Sequence, residues 1–365
     1  MSSKIKKTDA IVSALLAWFE TNARDLPWRR TRDPYAIHVS EIMLQQTQVK
    51  TVIPYWERWM RELPTLAAAA QASPEQLHKL WEGLGYYTRV RNLQQAARQI
   101  LARHHGSFPQ THADVLALPG IGPYTAGAIC SIAYNQPTPI LDGNVIRVLT
   151  RVFGIAKNPK EKATNERLWQ LAAKLVQHAS RIPQPNSCSR LNQSLMELGA
   201  LVCTPRKAQC QACPLQPLCV AYRDQRVASL PCLVRREPPT ARRFVAFVIT
   251  RRGRYLLRQR SHDVVNALLW EFPNVEVVAG RRPLRPEEIY ERTFGEPAPG
   301  LTPLTTFKHS ITRYRITLEA YQTAVTGDEL TLCGVWRTPV QLRKLAFTSA
   351  HRKILNRLNL NSEVD

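Results

Sequence analysis

The residues of this chain whose types and spacing could do chemistry begin at Leu118-Pro119-Gly120-Ile121-Gly122-Pro123-Tyr124 and run on to Ile129. An apolar residue joined to Gly-x-Gly and proline stops one helix and starts the next within a few positions. Gly120 and Gly122 let backbone N–H groups come close to an anion. A helix starting near Pro123 aims its positive end the same way, so the hairpin could grip a phosphate. Most Gly-rich helix connections bind nothing; what sharpens this one is Leu141-Asp142-Gly143-Asn144, one loop further on. An aspartate opening a helix beside a phosphate-gripping turn can serve nucleic-acid chemistry. Taken alone, Asp142 is better read as a plain N-cap for Val145-Ile146-Arg147-Val148-Leu149. The two readings are compatible, because N–H groups at a helix start also help keep a carboxylate ionised.

A second constellation is Cys203, Cys210, Cys213 and Cys219, a C-x6-C-x2-C-x5-C run. Thiolates this close can wrap one metal centre, and four unrelated buried thiols explain so short a stretch poorly. Zinc competes, but structural zinc sites usually show two short knuckles and only one C-x2-C is present, which favours an iron–sulfur cluster. Arg206 and Lys207 lie inside the first loop, where they could be held against a phosphate backbone.

The elements that must position these groups are helical first. From Ile11 to about Leu201, apolar residues recur at three- and four-residue intervals, as in Ile11-Val12-Leu15-Leu16-Phe19, Val90-Leu93-Ala97-Ile100 and Leu168-Leu171-Leu175-Val176. Breaks fall at Asp33-Pro34, Leu63-Pro64, Ser73-Pro74, Phe108-Pro109 and Gln136-Pro137. After the cysteines, Ser229-Leu230-Pro231 and Arg235-Arg236-Glu237-Pro238-Pro239 suit an extended connector. Beyond it Phe244–Ile249, Tyr255–Leu257, Tyr314–Tyr321 and Gly334–Trp336 read as strands, with helices near Glu287–Phe294 and His351–Leu358. The expected organisation is an all-helical domain over 1–227, with its hairpin at 118–129 and cysteine loop at 203–219. A linker over 228–241 and an α+β domain over 242–360 follow.

Composition narrows the partners. Lys and Arg number 50 against 28 Asp and Glu, a net charge of +22 spread over both halves, so a polyanion such as DNA or RNA fits better than a membrane. No apolar run approaches the roughly 20 residues that span a bilayer, and the N-terminus lacks a clean signal-peptide core. A cytoplasmic, nucleoid-associated monomer is expected, in which eight cysteines serve as metal ligands or buried thiols before disulfides.

Helical domain, hairpin, downstream aspartate and cysteine spacing together resemble the endonuclease III superfamily of helix-hairpin-helix DNA glycosylases. Ser40-Glu41-Ile42-Met43-Leu44-Gln45-Gln46-Thr47-Gln48-Val49 and Gly83-Leu84-Gly85-Tyr86-Tyr87 make it similar to the MutY-type adenine glycosylases within it. The resemblance spans about Trp18 to Leu358. It implies double-stranded DNA with an adenine:8-oxoguanine mispair as partner, one 4Fe-4S cluster on Cys203, Cys210, Cys213 and Cys219, and excision of the adenine.

By the same resemblance Glu41 is the general acid and Asp142 the carboxylate that stabilises or traps the sugar cation. Their work needs Glu41 protonatable near neutrality and Asp142 charged. Asn144 and Tyr124 are implied as hydrogen-bonding supports for Asp142, the sugar and water. Trp28 and Arg29 are implied to line the adenine pocket and Gln193 to touch the base. Gln46, Thr47, Leu84 and Tyr86 match the wedge and intercalating positions, while Gly120 and Gly122 match the phosphate-binding hairpin. Without the family, Glu41 is an ordinary first-turn helix glutamate, Asn144 a first-turn helix residue and Tyr86 a core tyrosine. Tyr124 stands where strand-cleaving relatives carry a lysine, and a phenol cannot form the Schiff base.

Leu269-Trp270-Glu271-Phe272-Pro273 and Phe307-Lys308-His309-Ser310 liken the second domain to a Nudix-like lesion-reading module without the hydrolase glutamates. The family's Phe-Ser-His tip falls on Ile311-Thr312-Arg313, so Thr312 keeps a hydroxyl and Arg313 replaces a histidine. Two other readings stand beside this one. An endonuclease III-like pyrimidine glycosylase and lyase would nick oxidised-thymine DNA without alkali. A non-catalytic DNA-binding protein would keep the hairpin and cluster as structure only.

Overall fold

The computed structural model describes residues 2–233, 237–261, 264–278, 282, 284–311, 313–326 and 334–358, with side chains from residue 7 onward. These fall into two compact units: Met1–Gln71 with Arg91–Arg235, and Ala72–Val90 with Arg236–Asp365.

The first unit is helical, as the apolar spacing predicts. Ile11, Val12, Leu15 and Leu16 on the helix Ser2–Asn22 are buried against Leu168, Leu175 and Val176 of Lys162–Ala179. Leu191, Leu195 and Leu198 of Ser187–Leu201 close the same core. Helix Pro34–Leu44 is buried almost all round, which is why it reads as a continuous apolar stretch rather than a stripe. Its start is fixed by Pro34 at the first helical position and by Asp33, whose carboxylate accepts the Tyr35 N–H. The predicted breaks before proline therefore mark where the next helix starts as well as where one stops.

The second unit carries a seven-stranded mixed sheet: β1 (Thr240–Arg251), β2 (Arg254–Gln259), β3 (Trp270–Glu271), β4 (Asn274–Val277), β5 (Thr302–Ile311), β6 (Tyr314–Ala324) and β7 (Val335–Arg337). Order β3-β2-β1-β6-β5 makes β1 central, with β6 parallel to it. Central strands are covered on both faces, so β1 reads as an unbroken apolar run. Ala246 and Val248 face Leu342, Phe347, Ile354 and Leu355, while Val245, Phe247 and Ile249 face Ile289 and Tyr290 of helix Pro286–Phe294. The sequence reading misses β5 as a strand. It is an edge strand that keeps Pro303 at a register shift and turns Thr302, Thr306 and Lys308 outward, which weakens the apolar alternation. Among the described residues no helix is long and apolar enough to cross a membrane.

Candidate active site

Two helix starts and one helix interior supply the central groups. Glu41 lies in the last turns of Pro34–Leu44 and is 5 % exposed. Tyr124 lies in the first turn of Pro123–Tyr134 and donates its hydroxyl to Glu41 Oε2 at 2.9 Å, with Met196 Sδ at 3.1 Å as a second neighbour. Asp142 caps the helix Gly143–Val152: its Oδ1 accepts the Val145 N–H at 2.8 Å and its Oδ2 accepts the Asn144 side-chain amide at 2.9 Å. The plain N-cap reading of Asp142 is thus correct as structure, and it leaves the carboxylate facing a cavity of about 480 Å³ that Glu41, Tyr124 and Asn144 also line. The Asn144 amide donates to Asp142, and the Tyr124 hydroxyl donates to Glu41.

Burial governs the electrostatics. It raises the Glu41 carboxyl to about 7, helped by the nearby Asp142 and opposed by the Tyr124 hydrogen bond and the Arg29 charge. Asp142 is also raised by burial, although Val145, Asn144 and Arg147 all pull it down. The helix-start N–H groups favour the ionised form as the sequence implies, and desolvation outweighs them.

Every other pocket residue named from sequence in this unit lies on the same wall. Trp28 is buried and meets the Trp56 ring edge-on at 6.1 Å between centroids. Gln193, half-buried, donates to Ser189 Oγ at 3.0 Å, and Gln46 and Thr47 stand at the rim, Gln46 exposed and with φ of 56°. Arg29 lines the cavity with its guanidinium turned to a carboxylate that sequence reasoning missed. Glu197, whose side chain is 1 % exposed, receives Nη2 of Arg29 at 2.9 Å and Nη2 of Arg24 at 2.7 Å. The available signal was its place one helical turn after Gln193 on Ser187–Leu201.

Arg147 was missed as well. Its Nη2 donates to Asn144 Oδ1 at 2.8 Å and to the Gly199 carbonyl at 2.6 Å, and its Nε donates to the Cys203 carbonyl at 2.6 Å. One turn on, Arg151 Nη1 donates to the Thr204 carbonyl at 2.8 Å and lies 3.3 Å from Cys203 Sγ. The helix that Asp142 opens therefore ties the pocket to the cysteine loop. Gly199 makes the close approach feasible, since a Cβ there would stand 2.6 Å from Asn144 Cβ. Gly199→Ala should push Asn144 aside and destabilise the fold by about 1–3 kcal/mol, measured by urea unfolding.

Cys203, Cys210, Cys213 and Cys219 line one pocket with Val148, Arg151 and Leu198. None is in a disulfide, and each is half-buried. Burial raises the Cys213 thiol to about 11 and Cys219 upward, opposed by N–H groups of Leu215 at Cys213 and of Tyr222 and Ala221 at Cys219. Among the described residues no three His, Cys, Asp or Glu side chains converge on a single-ion site.

In the hairpin, Gly120 has φ of 77° and a Cβ there would meet Asn92 Cβ at 2.6 Å, so glycine is required. Gly122 is an extended N-cap with open space where its Cβ would be. In the second unit, Gly83, Gly85 and Tyr86 all have positive φ, leaving Leu84 buried and Tyr86 46 % exposed. The Arg89 guanidinium lies 5.6 Å from the Tyr86 ring centre. Thr312 lies outside the described residues; Arg313 follows it at the β5–β6 tip, donating to the Tyr314 hydroxyl at 3.0 Å.

A buried and a half-buried carboxyl group lining one pocket, together with a helix-hairpin-helix and a four-cysteine loop, define a base-excision glycosylase. Residues 39–174 match the profile of the HhH-GPD superfamily base excision DNA repair proteins, and 245–357 match the NUDIX domain. The adenine DNA glycosylase of Rattus norvegicus is 36% identical, covering 96% of this chain and 78% of the relative. That of Homo sapiens is 35% identical, covering 96% and 74%. The chain belongs to the adenine DNA glycosylase family. Among solved structures, a thermostable thymine-DNA glycosylase superposes with a TM-score of 0.55 at 29% identity, covering 61% of this chain and 100% of that one. An endonuclease III in a DNA complex shares the fold, with a TM-score of 0.50 at 21% identity over 62% and 99%.

Proposed function

We propose that this chain is a monofunctional DNA glycosylase that hydrolyses the N-glycosidic bond of adenine mispaired with 8-oxoguanine or guanine in double-stranded DNA. The observation that carries this reading is the shared cavity of Glu41 and Asp142, with Glu41 able to hold a proton near neutrality. Glu41 passes that proton to the purine ring, and the C–N bonding pair leaves with the base. Tyr124, already bonded to Glu41, then steadies the carboxylate that remains. Asp142, oriented by Asn144 and Val145, meets the sugar cation until water adds to it. Among the described residues no lysine lines the cavity, so the chemistry ends at base removal.

Adenine inside a duplex is out of reach, and the nucleotide must be flipped into the pocket. Trp28, Arg29 and Gln193 would receive the base. The exposed Tyr86 ring, next to Leu84 in sequence, would stack against a base, and Gln46 and Thr47 would serve as wedge residues of the first unit. The open space at Gly122 leaves room for a phosphate at the start of helix Pro123–Tyr134, with Gly120 shaping the turn. Thr312 and Arg313 would read the lesion. Single-turnover assays should release adenine opposite 8-oxoguanine and guanine, with strand breaks only after alkali. Nicks without alkali, or action on oxidised thymine instead, would overturn the reading.

The four cysteines suit one 4Fe-4S cluster: their sulfurs share a pocket, and N–H groups aim at two of them as they do around cluster thiolates. Such a cluster would supply a rigid, charge-bearing knot rather than a reacting group. Its loop presents Arg206 and Lys207 exposed for the DNA backbone. Elemental analysis should find about four irons and four sulfides per chain. Zinc in their place would refute the assignment.

A further inference from the structure

Beyond the residues just assigned, the buried Glu197 has no part in the reaction so far. Both its oxygens are saturated. Oε1 accepts the Arg24 backbone N–H at 2.9 Å, Arg24 Nε at 2.8 Å and Arg29 Nη1 at 3.2 Å. Oε2 accepts Arg24 Nη2 at 2.7 Å and Arg29 Nη2 at 2.9 Å. Arg29 is fixed further by donating to the Arg24 carbonyl at 3.0 Å and lying 5.3 Å from the Phe19 ring centre. Burial pushes Glu197 up, but the hydrogen bonds from Arg24 and Arg29 outweigh it and hold the carboxyl at about 2. It is therefore a permanent anion at the edge of a pocket where positive charge must develop.

We propose that Glu197 is a positioning residue that clamps the Arg24 and Arg29 guanidinium groups and holds Arg29 off the Glu41 carboxyl, leaving that carboxyl to Tyr124. Arg24, Arg29, Glu41, Tyr124 and Glu197 all line the same cavity. The groups that face Glu41 are Tyr124, Asp142 and Arg29, and of these Arg29 alone is a cation. An unclamped guanidinium beside Glu41 would form a bidentate ion pair with it. The acid would then hold no proton to give. Two uncompensated guanidinium groups would also repel the protonated purine and the sugar cation, whereas the clamp leaves one net positive charge.

This inference rests on Glu41 being the proton donor, and the experiment separates the two. Single-turnover adenine release from a duplex with 8-oxoguanine opposite is measured against pH for the wild type, Glu197→Gln, and the paired Glu197→Gln/Arg29→Gln. The wild type should lose rate as pH rises through about 7, where Glu41 deprotonates. In Glu197→Gln that descending limb should move down by roughly one unit or more, with about a fivefold or greater loss at pH 7, as expected for a carboxyl gaining an adjacent cation. Removing the freed charge in the paired variant should return the limb to its wild-type position or above it, because the Arg29 charge already lowers Glu41 in the wild type. A uniform loss at every pH with an unmoved limb means that Glu197 is only structural, and overturns the proposal. Should Glu197→Gln fail to fold, the paired variant decides alone: a limb displaced downward from the wild type refutes the clamp, because no Arg29 charge remains to displace it. A wild type with no limb near neutrality overturns the role of Glu41 first and the clamp with it.

Discussion

Replacing Glu41 with glutamine should remove adenine excision, a loss of about 10²–10⁴ in single-turnover rate, while making the protein more stable above neutral pH. The kinetic half follows from the absence of a proton to give. The stability half follows from burial. A glutamate that titrates near 4.5 when exposed titrates at about 7 in this fold, so folding favours its protonated form. The contribution of the protonated carboxyl to stability is complete below about 4.5. It is lost as pH rises from there to about 7, above which the fold carries a buried anion. With each pKa unit worth roughly 1.4 kcal/mol, the penalty at pH 8 is on the order of 3 kcal/mol. Glutamine is neutral at every pH and escapes it. Melting temperatures of the two proteins should therefore agree near pH 4.5 and diverge by pH 8 in favour of Glu41→Gln. Equal pH dependence in both would show that Glu41 is not held protonated by the fold.

The elements that position the site were more legible than the electrostatics they create. Proline and capping residues marked the starts of Pro34–Leu44 and Pro123–Tyr134, and Asp142 was readable as an N-cap from four consecutive letters. Local signals suffice where the interaction is local. Glu197 could not be read this way, because what gives it meaning is Arg24 and Arg29, 173 and 168 positions earlier. Arg147 is one basic residue in the run Val145–Leu149, and only the fold brings Asn144, Gly199 and Cys203 to its guanidinium. The Tyr124–Glu41 hydrogen bond could not be read for the same reason: the hydroxyl reaches across 83 positions. Sign was harder still. The N–H groups at Asp142 could be inferred from sequence, but how far burial outweighs them depends on the walls that close over the helix start.

Asp142→Asn tests that balance and separates enzyme from binder. Asparagine is as good an N-cap as aspartate, so the Val145 N–H keeps its acceptor and helix Gly143–Val152 should be retained. What disappears is the negative charge. A sugar cation forming in the pocket would then face an amide dipole, and the rate should fall by about 10²–10³ or more, the cost of losing a group aimed at developing charge. Because burial raises the Asp142 carboxyl, the charged form is disfavoured by the fold above its ordinary range, and the variant should melt at or above the wild-type temperature at pH 8. Affinity for a duplex carrying adenine opposite 8-oxoguanine should change little, since the hairpin glycines and the exposed Tyr86 are untouched. Excision at the wild-type rate by this variant would strip Asp142 of its catalytic role, whereas a wild type that binds this duplex without excising adenine would place the chain among proteins that only bind DNA. Lost excision with intact binding and an equal or higher melting point fits a carboxylate kept at a thermodynamic cost for the sake of one cationic intermediate.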